Sequence, residues 1–196
     1  MDVDGVVTYA KDALLALGDY PPCILVEVDK PEYVCIMLPD LGTASNALER
    51  ARISFFGGRK FAQTTAKKHY KGQKFIGVYS IAKVWYTMTV ASEAKNTPYV
   101  KPSLNPRRKE GFNIISLDPN TMEQGQVLYD ILRDGSGAVV DLFKDPEMKR
   151  TGPVQSAFLP CFMAGMRTCE QPHSQAIHEF RRTFDRYAPP LPDEMG

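Results

Sequence analysis

The chain has 196 residues, 43% hydrophobic and 24% charged, the make-up of an ordinary soluble globular protein with enough apolar material for one substantial core. Its 24 basic and 23 acidic side chains leave a formal charge of +1, so no global field draws it to nucleic acid or an anionic membrane, and such binding would need a local patch. The acidic start, Met1 to Gly5, lacks the basic and apolar regions of a secretion signal, and no apolar run reaches the length of a membrane span, so a cytoplasmic protein with reduced cysteines is expected.

Val3, Val6, Val7, Ala10, Leu14 and Leu17 recur at helical spacing, with Asp2 or Asp4 placed to cap and Gly18 to terminate. Cys23 to Val28 and Tyr33 to Leu38 flank the turn Asp29-Lys30-Pro31-Glu32 and read as a hairpin. With Val28 opposite Tyr33, Cys35 shares a face with Ile24 and Val26 while Cys23, Glu27 and Asp29 point the other way, a register that forbids a Cys23–Cys35 bridge. A longer helix follows, with a stripe of Ala44, Leu48, Ala51, Phe55, Gly58, Ala62 and Ala66 and with cations on its other faces. Gly57-Gly58 in its middle either permits close packing or splits it.

Phe75 to Val90 is the strongest strand signal. Alternate residues Ile76, Val78, Ser80, Ala82, Val84, Tyr86, Met88 and Val90 form an apolar face and the intervening ones a mixed face, the pattern of a strand with one side on a core. Its length suggests a bulge near Ser80 to Lys83. Phe112 to Leu117 reads as a further strand, and Val127 to Arg133 and Ala138 to Phe143 as a hairpin around Asp134-Gly-Ser-Gly137. Ala157 to Met166 reads as a helix interrupted by Pro160. A last helix capped by Ser174 carries Ile177, Phe180, Phe184 and Tyr187 inward. The expected fold is α+β: a mainly antiparallel sheet of five or six strands, an N-terminal helix, a long helix after the first hairpin, and C-terminal helices. Residues 1–187 are expected to form one domain, and 188–196, which contain a PxxP spacing, a mobile tail.

Between the central strand and the next lie Ala91 to Gly111, about twenty residues without a period and with Pro98, Pro102 and Pro106 spaced along them. A connection of that length is usually functional or disordered. It ends in Pro102-Ser103-Leu104-Asn105-Pro106-Arg107-Arg108-Lys109, a turn followed by three cations suited to a carboxylate or phosphate. Ser103, Arg107, Arg108 and Lys109, with Trp85 on the strand feeding the loop, are the candidate binding residues, and an unidentified protein is the expected partner. The competing reading is nucleic-acid binding, in which Lys67, Lys68, Lys71 and Lys74, interleaved with aromatic residues, join the loop cations in gripping phosphates.

Catalytic motifs are absent: there is no Walker loop, dinucleotide fingerprint, Gly-x-Ser-x-Gly elbow or His-Glu-x-x-His, and no cofactor is implied. The one acid-base candidate is Asp130 with Asp141, which the hairpin register Arg133 opposite Ala138 sets face to face, where two carboxylates share a proton or hold a cation. Cys161, Cys169, His173 and His178 lack zinc-ligand spacings, so no metal is expected. His69 falls near the buried stripe of the long helix. The sequence leaves a homo-oligomer open.

Overall fold

The computed structural model describes residues 2–29, 32–86, 108–144 and 156–188. Helix α1 (Val3–Leu17) leads into strands β1 (Cys23–Val28) and β2 (Tyr33–Met37), then helix α2 (Ala47–Phe61), which continues through a π turn (Ala62–Ala66) to His69. Strands β3 (Phe75–Tyr86), β4 (Lys109–Leu117), β5 (Gln124–Arg133) and β6 (Val139–Phe143) follow, and helices α3 (Phe158–Arg167) and α4 (His173–Tyr187) close the chain. The strands make one six-stranded antiparallel sheet in the order β2-β1-β3-β4-β5-β6. This is the α+β architecture expected from the sequence.

Caps explain where the helices start and stop. The Asp2 carboxylate accepts from the Gly5 amide at 2.8 Å, and Gly18 ends α1 at φ 69°, a left-handed conformation glycine adopts without penalty. Asn46 caps α2 through the Glu49 amide at 2.8 Å, and the Glu49 carboxylate reaches back to the Ser45 amide at 2.7 Å. Pro160 lies in the first turn of α3, where no amide hydrogen is needed, so it does not interrupt the helix. Pro172, not Ser174, occupies the N-cap of α4.

The sheet is covered on both faces, which corrects the one-sided reading of β3. On one side, Val6, Ala10 and Leu14 of α1 pack with Leu25, Tyr79, Ile81, Phe112 and Ile114. On the other, Ile24, Val26, Val78 and Leu117 meet Phe61, Leu159 and Phe162 from α2 and α3. All six residues of β1 are buried as a result. Tyr79 tolerates full burial because its hydroxyl donates to the buried Glu27 carboxylate at 2.6 Å. A side chain at Gly77 would strike that pair, its Cβ lying 2.6 Å from Glu27 Oε2.

Several details differ from the sequence expectations. Strand β3 pairs with β4 without interruption from Val78↔Leu117 to Tyr86↔Lys109, so there is no bulge at Ser80 to Lys83; the irregularity lies at Val28↔Phe75 in the β1–β3 ladder. Gly57-Gly58 leaves α2 unbroken. Gly58 instead lets α3 approach, since a Cβ there would sit 2.1 Å from the Phe162 carbonyl oxygen, and a Cβ on Gly165 would sit 2.0 Å from the Phe55 carbonyl oxygen. Ala44 lies outside the helix, Leu48 and Leu17 are exposed, and so is His69, the last residue of the helical run.

Both hairpin registers also shift. Leu25 pairs with Cys35 and Cys23 with Met37, one residue from the expected alignment, so Cys23 and Cys35 stand on the same face and the argument against their proximity falls. In the second hairpin a bulge between Leu132 and Arg133 puts Asp130 opposite Phe143 and Asp141 opposite Leu132. The two aspartates are therefore not opposed.

Candidate functional site

Strands β3 and β4 run together past the end of β1, whose last rung on β3 is Cys23↔Ile81, and finish in the rungs Trp85↔Glu110 and Tyr86↔Lys109. That end of the sheet is held by a charge network on the face covered by α1. The Glu110 carboxylate accepts two hydrogen bonds from the Arg133 guanidinium, at 2.7 and 2.8 Å, and Lys83 Nζ lies 3.8 Å away. Lys83 also pairs with Asp19 in the connection from α1 to β1, and Arg133 donates to the Gly137 carbonyl at 2.8 Å. The Arg133 guanidinium holds the Glu110 carboxyl below the usual range, against the opposing effect of its partial burial. Asp19 is lowered likewise, first by its Lys83 partner.

On the opposite face Lys109 Nζ meets Asp130 Oδ2 at 3.1 Å. The Tyr86 ring lies over Gly111, where a Cβ would come within 2.9 Å of both Tyr86 Cδ1 and Leu128 Cδ1. Gly111 thus lets two bulky side chains meet across a paired strand. Among the described residues the buried Tyr86 hydroxyl has no hydrogen-bond partner.

Of the candidate binding residues, Ser103 and Arg107 lie outside the described residues, as does the side chain of Trp85, whose backbone belongs to β3. Arg108 is exposed immediately before β4, and Lys109 is exposed on its first position. The structure therefore puts Lys109 and the backbone of Trp85 within two rungs of each other.

The second cation cluster is elsewhere. Lys67 and Lys68 sit in the last turn of the α2 run, and Lys71 and Lys74 in the turn leading into β3. Lys67 is paired with Glu170 at 3.2 Å, and together with Arg59, Gln63 and Lys71 it borders an open cavity of about 790 Å³. Lys74 precedes the start of β3 and Lys109 pairs with its end, so the sheet separates the two clusters by roughly 35 Å at about 3.3 Å per residue. The two clusters therefore stand at opposite ends of β3.

Asp130 and Asp141 each hold a lysine instead of each other: Asp130 takes Lys109, and Asp141 takes Lys11 of α1 at 2.7 Å. Lys11 keeps the Asp141 carboxyl below its usual range. Cys161 is buried in the contact between α2 and α3, its thiol pushed up to about 12 by burial, and His173 stacks on Phe56 with centroids 6.2 Å apart. Among the described residues no three His, Cys, Asp or Glu side chains converge as a metal site.

The constellation that sequence reasoning missed is sulfur. On the face under α1, buried Cys23 and exposed Cys35 are diagonal neighbours across the β1–β2 ladder. The Tyr20 hydroxyl lies 3.4 Å from Cys23 Sγ, and Cys35 Sγ lies 3.9 Å from Met37 Sδ. The neighbouring Cys35 thiol and then burial raise Cys23, while Cys23 in turn lowers Cys35. The one signal in the sequence was the Cys-x-Met alternation of β2, visible only with the correct register.

No family model matches the chain, and no curated protein or solved structure matches it either. Among the described residues no helix is long and apolar enough to cross a membrane.

Proposed function

We propose that this chain is a non-enzymatic intracellular binding module whose contact surface is the β3–β4 connection and its cationic exit at Arg107, Arg108 and Lys109. Its partner is a protein that displays carboxylate or phosphate groups. The supporting observation is a mismatch of lengths. Tyr86 and Lys109 are direct neighbours on antiparallel strands, a gap that a two-residue turn closes. Residues 87–108 fill it. So large a surplus over what chain closure requires is the mark of a binding loop. The Glu110–Arg133–Lys83–Asp19 network is the rigid footing such a loop needs if it is to lose little entropy on binding.

The test is the triple variant R107A/R108A/K109A. Its Tm is expected to stay within about 3 °C of wild type, because Arg108 and Lys109 are exposed and the Lys109–Asp130 pair is a surface ion pair of small worth. Quantitative affinity capture should lose the partners retained by wild type. Unchanged capture would refute the site, and steeply salt-dependent oligonucleotide binding would favour the nucleic-acid alternative in its place.

A further inference from the structure

We infer that Cys23, Cys35 and Met37 form a binding site for a soft monovalent cation, with copper(I) as the reference ion. The site stands apart from the proposed contact surface and does not depend on it.

Three observations carry it. First, the β1–β2 register puts Cys23 directly opposite Met37 and Cys35 opposite Leu25, so all three sulfur side chains leave the same face of two paired strands. Second, the spacing suits coordination. A trigonal set of metal–sulfur bonds of about 2.3 Å, the zinc–thiolate length, separates its sulfurs by about 4 Å. Cys35 Sγ and Met37 Sδ stand 3.9 Å apart, and Cys23 shares a rung with Met37, diagonal to Cys35 across the β1–β2 ladder. Third, access is graded. Cys23 is 1% exposed and Met37 50% exposed, with Cys35 also open to solvent, so one ligand is fixed in the core and two line an entry from the outer edge of the sheet.

The donor set selects the ion. Two thiolates and a thioether are soft ligands, and a thioether adds little for zinc, which takes four thiolate, imidazole or carboxylate ligands. A d10 monovalent ion accepts three. Binding releases the two thiol protons and changes no oxidation state, leaving a complex of net charge −1. The Tyr20 hydroxyl, 3.4 Å from Cys23 Sγ, is placed to donate to that thiolate, and its ring is fixed edge-on against Phe112. A disulfide suits the geometry less well. Cys23 and Cys35 are diagonal neighbours, with Cα atoms about 7–8 Å apart in a regular ladder, beyond the span an unstrained bridge accepts.

The experiment titrates the full-length reduced protein with copper(I) under anaerobic conditions against a chromophoric copper(I) chelator, with native mass spectrometry to count ions. Wild type is expected to take one ion from the chelator. The C35S variant should weaken binding by more than about a hundredfold, beyond the loss caused by removing an outer-shell partner. The M37L variant should weaken it by about tenfold, the smaller loss expected of a neutral ligand. Both substituted side chains are exposed, so circular dichroism spectra should match wild type. Failure of wild type to compete for copper(I) overturns the site, and so does full binding by C35S, which would report Cys161 or Cys169 instead.

Discussion

The two faces of the sheet are closed by different means. Over one face α2 and α3 cross each other backbone against backbone, where Gly58 and Gly165 remove the side chains that would hold them apart, and Phe61, Phe162 and Leu159 seal the pair onto the sheet with apolar side chains. Under α1 the contact is made by side chains with polar ends. Tyr79 meets Glu27, Tyr20 meets Cys23, and at the far end Glu110, Arg133, Lys83 and Asp19 interlock. A glycine crossing has no slack, because its neighbours are carbonyl groups fixed in helices. Polar pairs on the other face fix direction as well as distance, and the proposed sulfur site lies on that side. The first face is closed by shape, and the second by paired polar groups.

The largest expected effect breaks the first face. Alanine at Gly58 gains about 1 kcal/mol in helix propensity, but its Cβ would meet the Phe162 carbonyl oxygen at 2.1 Å, with no flexible side chain to yield. The helices must separate, at a net cost of roughly 3 kcal/mol. In thermal unfolding, G58A should melt on the order of 10 °C below wild type. An unchanged Tm would mean that the two helices do not cross at Gly58.

A smaller effect sharpens the contrast on the other face. Glu110 has a depressed carboxyl pKa in the folded protein because of Arg133. Its contribution is therefore complete above the ordinary value of 4.5 and is lost as pH falls through the lower folded value. The E110Q variant should lose about 1 kcal/mol at pH 7. Urea midpoints for variant and wild type should converge as the pH drops below 4.5. A gap that stays constant down to low pH would place the loss in packing and not in charge.

What the sequence made legible, and what it did not, follows the same division. Helical and strand periods identified α1, α2, the central strand and α4, because an amphipathic pattern is a local property. The β1–β2 register was not legible for a physical reason: β1 is buried on both faces, so sliding it by one residue exchanges one apolar set for another. The same two-sided cover hid the role of Tyr79 and Ile81, which read as the mixed face. In the β5–β6 hairpin the bulge at Leu132/Arg133 has no sequence mark, and with it went the supposed Asp130–Asp141 pair. The partnership of Gly58 with α3 joins segments more than a hundred positions apart, beyond any local pattern. The β3–β4 connection, where the proposed contact surface lies, stands out in the sequence as a proline-punctuated run without a period.

If both faces close without the connection, the connection is free to bind. The direct measurement joins Tyr86 to Lys109 through Asn-Gly in place of residues 87–108, with unfolding and partner capture recorded on the same preparation. The shortened chain should unfold cooperatively within about 3 °C of wild type and retain none of the captured partner. A chain that fails to fold, or one that folds and still captures the partner, contradicts the account.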